Sequence, residues 1–89
     1  MEYSYPIRID WTTEEIVTVT TFFSAIEKAF EQGILREQLL EAYNRFKTVV
    51  PSMAEEKTLF REFKEVSGYE SYKVVKRAKE GTNGELIKS

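Results

Sequence analysis

Residues 12–33, TTEEIVTVTTFFSAIEKAFEQG, carry the longest continuous apolar stripe in the chain, and the rest must pack around them. Ile16, Val19, Phe23, Ile26 and Phe30 recur at steps of three and four, the spacing that lines side chains along one face of an α-helix. Phe22 and Ala29 widen that face. The start is written as a capping box, in which Thr12 accepts from the backbone N–H of Glu15 while the Glu15 carboxylate reaches back to the N–H of Thr12. Glu14 and Glu15 also suit the positive end of the helix dipole. Gly33 supplies the stop, because glycine enters the left-handed region without steric cost. A central helix over 13–32 is the expectation.

The stretches on either side follow from it. Leu35, Leu39, Ala42, Phe46 and Val49 step by four and three until Pro51, which pushes the residue before it out of the helical region. A second helix over 35–49 should therefore fold back on the first across the short Gly33 turn. Ser52 and Glu55 repeat the capping-box spacing ahead of Leu59, Phe60, Phe63 and Val66, giving a third helix over 53–66 that Gly68 ends. A fourth, over 70–80, places Tyr72, Val75 and Ala78 at three-residue steps. Upstream, Tyr3, Tyr5, Ile7, Ile9 and Trp11 occupy every odd position, so residues 1–11 read as an extended arm with one apolar face, and Pro6 argues against a ladder. Residues 82–89 have too little apolar content to offset the entropy of ordering and read as a flexible tail. The whole is a single all-α domain over 1–81, a small bundle of about four helices.

Composition narrows the chemistry. The chain has 89 residues, no Cys and no His, which removes thiol catalysis, imidazole acid–base work and nearly every transition-metal site. Neighbouring carboxylates such as Glu14 with Glu15 and Glu55 with Glu56 sit in first turns, where capping and the dipole already account for them. With no Gly-rich phosphate loop and no nucleophile motif, neither an enzyme nor a cofactor is expected. Thirteen basic and fifteen acidic side chains leave a net charge of −2, so the molecule as a whole has no drive toward nucleic acid or an anionic membrane. The distribution is uneven. Residues 1–33 hold six acidic and two basic side chains, a balance of −4, and residues 70–80 hold four basic and two acidic, a balance of +2. The start, with Glu2 and no long apolar run, resembles neither a signal peptide nor a membrane span, which makes the cytoplasm the expected location.

Several phrases in one order carry a resemblance: Tyr5-Pro6-Ile7, Asp10-Trp11-Thr12-Thr13-Glu14-Glu15, Val50-Pro51-Ser52 with Ala54-Glu55-Glu56-Lys57, and Ser67-Gly68-Tyr69 through Ser71-Tyr72. Together they resemble the YktA-like family, small uncharacterised proteins of Bacillus and its relatives, over roughly Tyr5 to Glu80. The resemblance implies a cytosolic all-helical bundle of about four helices, and it brings no activity, cofactor or catalytic residue with it.

Two functional readings follow from the residues. Aromatics make up 13% of the chain, and a domain this small is not expected to hide Tyr3, Tyr5, Trp11, Tyr69 and Tyr72 together. Half-exposed Tyr and Trp are common anchors of protein interfaces, so the first reading is a protein-interaction module, self-associating or binding another protein through that surface. The bland reading of the same residues is core. The second is nucleic-acid binding, because the helices joined at Ser67-Gly68-Tyr69 read like a helix-turn-helix with Ser71, Lys73, Lys76, Arg77 and Lys79 on the second helix. Phe63, Tyr69 and Val74 suit that motif, whereas Lys64 and Arg77 stand where small and apolar residues are usual. A basic helix C-terminus is also what the dipole alone favours.

Overall fold

The computed structural model describes residues 4–88, and the order of elements is α1 (Thr13–Glu31), β1 (Ile34–Leu35), α2 (Arg36–Val49), α3 (Met53–Ser67), α4 (Ser71–Glu80) and β2 (Leu86–Ile87). The protein is all-α, a four-helix bundle with an N-terminal arm and one tiny sheet. Among the described residues no helix is long and apolar enough to cross a membrane.

The capping box forms in full. Glu15 N–H donates to Thr12 Oγ1 at 3.1 Å and Thr12 N–H donates to Glu15 Oε1 at 2.8 Å. From there α1 runs 19 residues, about 28 Å at 1.5 Å per residue, within a molecule of 36 × 28 × 22 Å. Val19, Phe22, Phe23, Ile26 and Ala29 are its buried residues. Gly33 turns the chain with φ +97°, and its N–H donates to Lys28 O at 2.7 Å. Phe22 then meets Phe46 at a centroid distance of 4.5 Å, two rings at similar distances along the chain on either side of Gly33. That is the packing of an antiparallel pair. Phe23 meets Phe46 edge-on at 5.9 Å, and Phe60 and Phe63 of α3 close the cluster from the other side. Offset and edge contacts of this kind add roughly 0.5–1.5 kcal/mol each beyond the burial of their area.

Three expectations are corrected. The arm does not alternate: Pro6 is buried, while Ile7 and Ile9 face solvent. Among the described residues no strand pairs with the arm to hold its pleat, and a turn closed by Trp11 N–H on Arg8 O at 3.2 Å redirects it. Two other contacts hold it down, the Tyr5 ring against Phe23 and Phe63, and a two-pronged ion pair from Arg8 to Glu62 of α3 at 3.1 Å for each prong. The second correction is at Leu35, which faces outward in β1 rather than opening the buried face of α2. Third, residues 82–88 are tied in. Leu86 and Ile87 pair antiparallel with Leu35 and Ile34, and Ile87 is fully buried. The first turn of α2 clamps this segment: Arg36 donates to Ala78 O and to Asn83 Oδ1, and its own N–H donates to Glu85 O. Gly84 N–H donates to Glu37 at 3.0 Å, which holds that carboxyl below its ordinary pKa.

Candidate functional site

Of the five aromatics singled out from the sequence, Tyr3 lies outside the described residues and three of the other four pack on the core. Tyr5 is half-buried, and its hydroxyl donates to Glu27. Burial first, and the neighbouring Glu27 carboxylate second, push its pKa up to about 12. Tyr69 stacks on Phe30 at 4.6 Å with 11° between the planes, and its hydroxyl donates to Glu31 at 2.8 Å, which raises its pKa. Trp11 also packs against the core. What lets these amphipathic rings settle is a carboxylate for each tyrosine tip, Glu27 and Glu31, one turn apart on α1. That i, i+4 pair beside the apolar stripe was the available signal.

Tyr72 is different. It is 55% exposed, although three-residue spacing puts it in line with Val75 and Ala78. The face that α4 buries is Ser71, Val74, Val75 and Ala78, the i, i+3, i+4, i+7 set that begins one residue earlier. Ser71 is short enough to sit inward there, and Tyr72 is thereby turned out.

It is turned toward a groove. Met53, Lys57, Phe60, Arg61 and Lys64 of α3 recur at helical steps along one side, and Glu70 and Tyr72 at the start of α4 form the other. The groove encloses about 680 Å³, within the range of ligand-sized clefts. Phe60 makes its floor, and Met53, 54% exposed, stands at its rim. The charges around it are unequally satisfied. Lys64 pairs with Glu70 at 2.7 Å, Arg61 reaches Glu65 only at 3.9 Å, and Lys57 has no acidic partner among the described residues.

Glu56, also on the groove wall, is 3% exposed and belongs to a buried polar cluster that the sequence did not disclose. Its carboxylate accepts from the Tyr43 hydroxyl at 3.1 and 3.2 Å and pairs with Lys47 Nζ at 2.6 Å. Burial, then the Glu56 charge, push the Tyr43 pKa up to about 12. A glutamate in the first turn of α3 reads as a dipole partner, and nothing local shows that Tyr43 lies across from it.

The residues of the helix-turn-helix reading are only partly in position. Gly68, at φ +81°, does make the turn. Ser71, however, is 1% exposed, and its Oγ has no hydrogen-bond partner among the described residues, so it cannot reach a base. Lys79 Nζ lies 4.8 Å from the centroid of the Tyr43 ring, and Arg77 donates to Lys88 O at 3.0 Å. Lys73 and Lys76 face solvent. No three acidic side chains converge on a metal-sized site among the described residues.

Known proteins place the chain in context. The uncharacterised protein family UPF0223 matches residues 2–87. A UPF0223 protein of Lysinibacillus sphaericus is 61% identical over 88 residues, covering 99% of this chain and 93% of the relative. One of Bacillus mycoides is 51% identical, with 99% of both chains covered, and the UPF0223 protein YktA of Bacillus subtilis is 52% identical, with 97% and 98% covered. These bacterial relatives are matched along essentially their full length, arm and C-terminal segment included, and the chain belongs to the uncharacterised protein family UPF0223.

Proposed function

We propose that the protein is a small cytoplasmic interaction module that docks a partner protein in the groove between α3 and α4, without catalysis and without a cofactor. The observation that supports this reading is the outward pair Tyr72 and Met53 above a Phe60 floor, large apolar side chains left in water beside a concavity. It relocates the interface from the aromatic set read off the sequence to Tyr72, because Tyr5, Trp11 and Tyr69 serve the core. The test is capture from the native cytosol after nuclease treatment, with Tyr72→Ser and Met53→Ser compared against the native chain. The expected result is a partner retained by the native chain and lost by the variants while their helical content is unchanged. Capture that persists in both variants, or that vanishes with nuclease, would overturn it.

Nucleic-acid binding is the second reading, and what favours it is the solvent-facing pair Lys73 and Lys76 beside the Gly68 turn. The burial of Ser71 counts against it, since the first turn of a recognition helix supplies the contacts to base edges.

A further inference from the structure

We infer that the occupant of the groove is an acidic segment of a partner protein that carries an apolar anchor side chain. The inference rests on the groove being a docking surface and adds the chemistry of what docks. Lys57, Arg61 and Lys64 follow one another at steps of four and three, so they form a line of cations along the groove side of α3. The acidic groups nearby are already engaged: Glu56 by Tyr43 and Lys47, and Glu70 by Lys64. Lys57 is therefore left without an acidic partner among the described residues, and Arg61 keeps only the long, solvent-exposed 3.9 Å pair with Glu65, so the rim of the apolar floor carries cations that are weakly matched. A second copy apposed groove to groove would set these cations against their own equivalents, like charge on like, which costs specificity and affinity alike. A carboxylate-bearing segment meets them with opposite charge, and its apolar side chain fills the space over Phe60 between Met53 and Tyr72. A phosphate backbone could use the cations but not the apolar floor.

One consequence is that salt does not separate protein from nucleic-acid partners here, because ion pairs at the rim weaken with ionic strength in both cases. The position of the cations does: α3 for an acidic segment, α4 for a nucleic acid.

The experiment is selection from a display library of short random peptides against the full chain, with Lys57→Glu/Arg61→Glu and Tyr72→Ser as comparison targets, all checked for native circular dichroism. The native chain is expected to enrich peptides that are net acidic with one or two large apolar residues. Lys57→Glu/Arg61→Glu should weaken those peptides by about tenfold or more and should itself enrich basic ones, since rim charges act mainly through electrostatic complementarity. Neutral or basic peptides enriched by the native chain, or acidic ones indifferent to the charge reversal, overturn the inference. If such peptides still depend on Tyr72, the groove remains a docking surface and only its charge preference fails. If nothing enriched depends on Tyr72, both fail. Displacement of the selected peptides by a single-stranded oligonucleotide at equal concentration would also overturn it, in favour of a nucleic-acid groove.

Discussion

Tyr43 and Glu56 show how one buried contact fixes a pH dependence. The Tyr43 hydroxyl donates to a carboxylate that is itself removed from water and balanced by Lys47. Burial disfavours the ionised phenol first, and ionisation would also set a second negative charge beside Glu56 and break the donation, which together push its pKa up to about 12. The folded pKa lies above the unfolded value near 10, so the protonated form is favoured by folding. Its contribution is complete below about pH 10 and is lost as pH rises toward 12. Urea unfolding of the native chain should accordingly show stability falling across that window, with a shallower fall in Tyr43→Phe. Equal slopes in the two proteins would show that the contact does not carry the effect. Removing the acceptor is harsher than removing the donor. Glu56→Ala leaves the Tyr43 hydroxyl and Lys47 without their partner and should cost on the order of 1–3 kcal/mol.

At the scale of elements, what was legible in the sequence was what is decided within a turn or two of chain. The Thr12 cap needs only the spacing to Glu15, and it forms as the spacing says. Thr12→Ala should cost about 0.5–2 kcal/mol by leaving an N-terminal N–H without its side-chain acceptor, and Thr13→Ala, inside the helix, should cost less. Equal losses on urea unfolding would place the cap elsewhere. Phe23 meeting Phe46 was readable for a similar reason, because a tight Gly33 turn makes the middles of two stripes opposite one another. The C-terminal segment was not. Leu86 and Ile87 are two apolar residues between Glu85 and Lys88, too short a run to show any period, and what orders them is distant in sequence: Ile34, Leu35 and the Arg36 and Glu37 clamp. Alternation misled in the arm because period two is meaningful only where a neighbouring strand preserves the pleat. Ile87→Ala tests the anchoring, since a fully buried isoleucine should cost on the order of 2–5 kcal/mol. A loss of a few tenths would mean that the tail contributes little.

For the whole molecule, aromatic content and available core come closer to balance than the sequence suggests, and that balance decides which aromatics remain for binding. Tyr5, Trp11 and Tyr69 were legible as aromatics but not as core-packed ones; the two tyrosines are seated by Glu27, Glu31 and Phe30, which lie far from them in sequence, and Trp11 packs against the core. The groove was less legible still, because Met53, Lys57, Arg61 and Lys64 look like an ordinary solvated helix face until α4 turns Tyr72 toward them. Trp11 and Tyr72 are therefore expected to part ways on mutation. Trp11→Ser should lower stability, by less than the roughly 3–5 kcal/mol of a fully buried tryptophan because the ring is only partly buried, yet by a noticeable share of the roughly 5–15 kcal/mol that a domain has in total. Tyr72→Ser should leave the unfolding midpoint nearly where it was and remove partner capture, because the ring stands largely in water and packs on little that folding needs. Lys73→Glu with Lys76→Glu supplies the third arm, since both residues lie on the solvent side of α4, away from the residues lining the groove. Under the interaction reading that double variant keeps its protein partner. Under the nucleic-acid reading it is the variant that fails in a gel shift, and Tyr72→Ser is the one that survives. Unfolding midpoints, capture and gel shift on the three variants give opposite rankings for the two readings, and a Tyr72→Ser protein that unfolds would return Tyr72 to the core and leave Met53 alone at the rim of the groove.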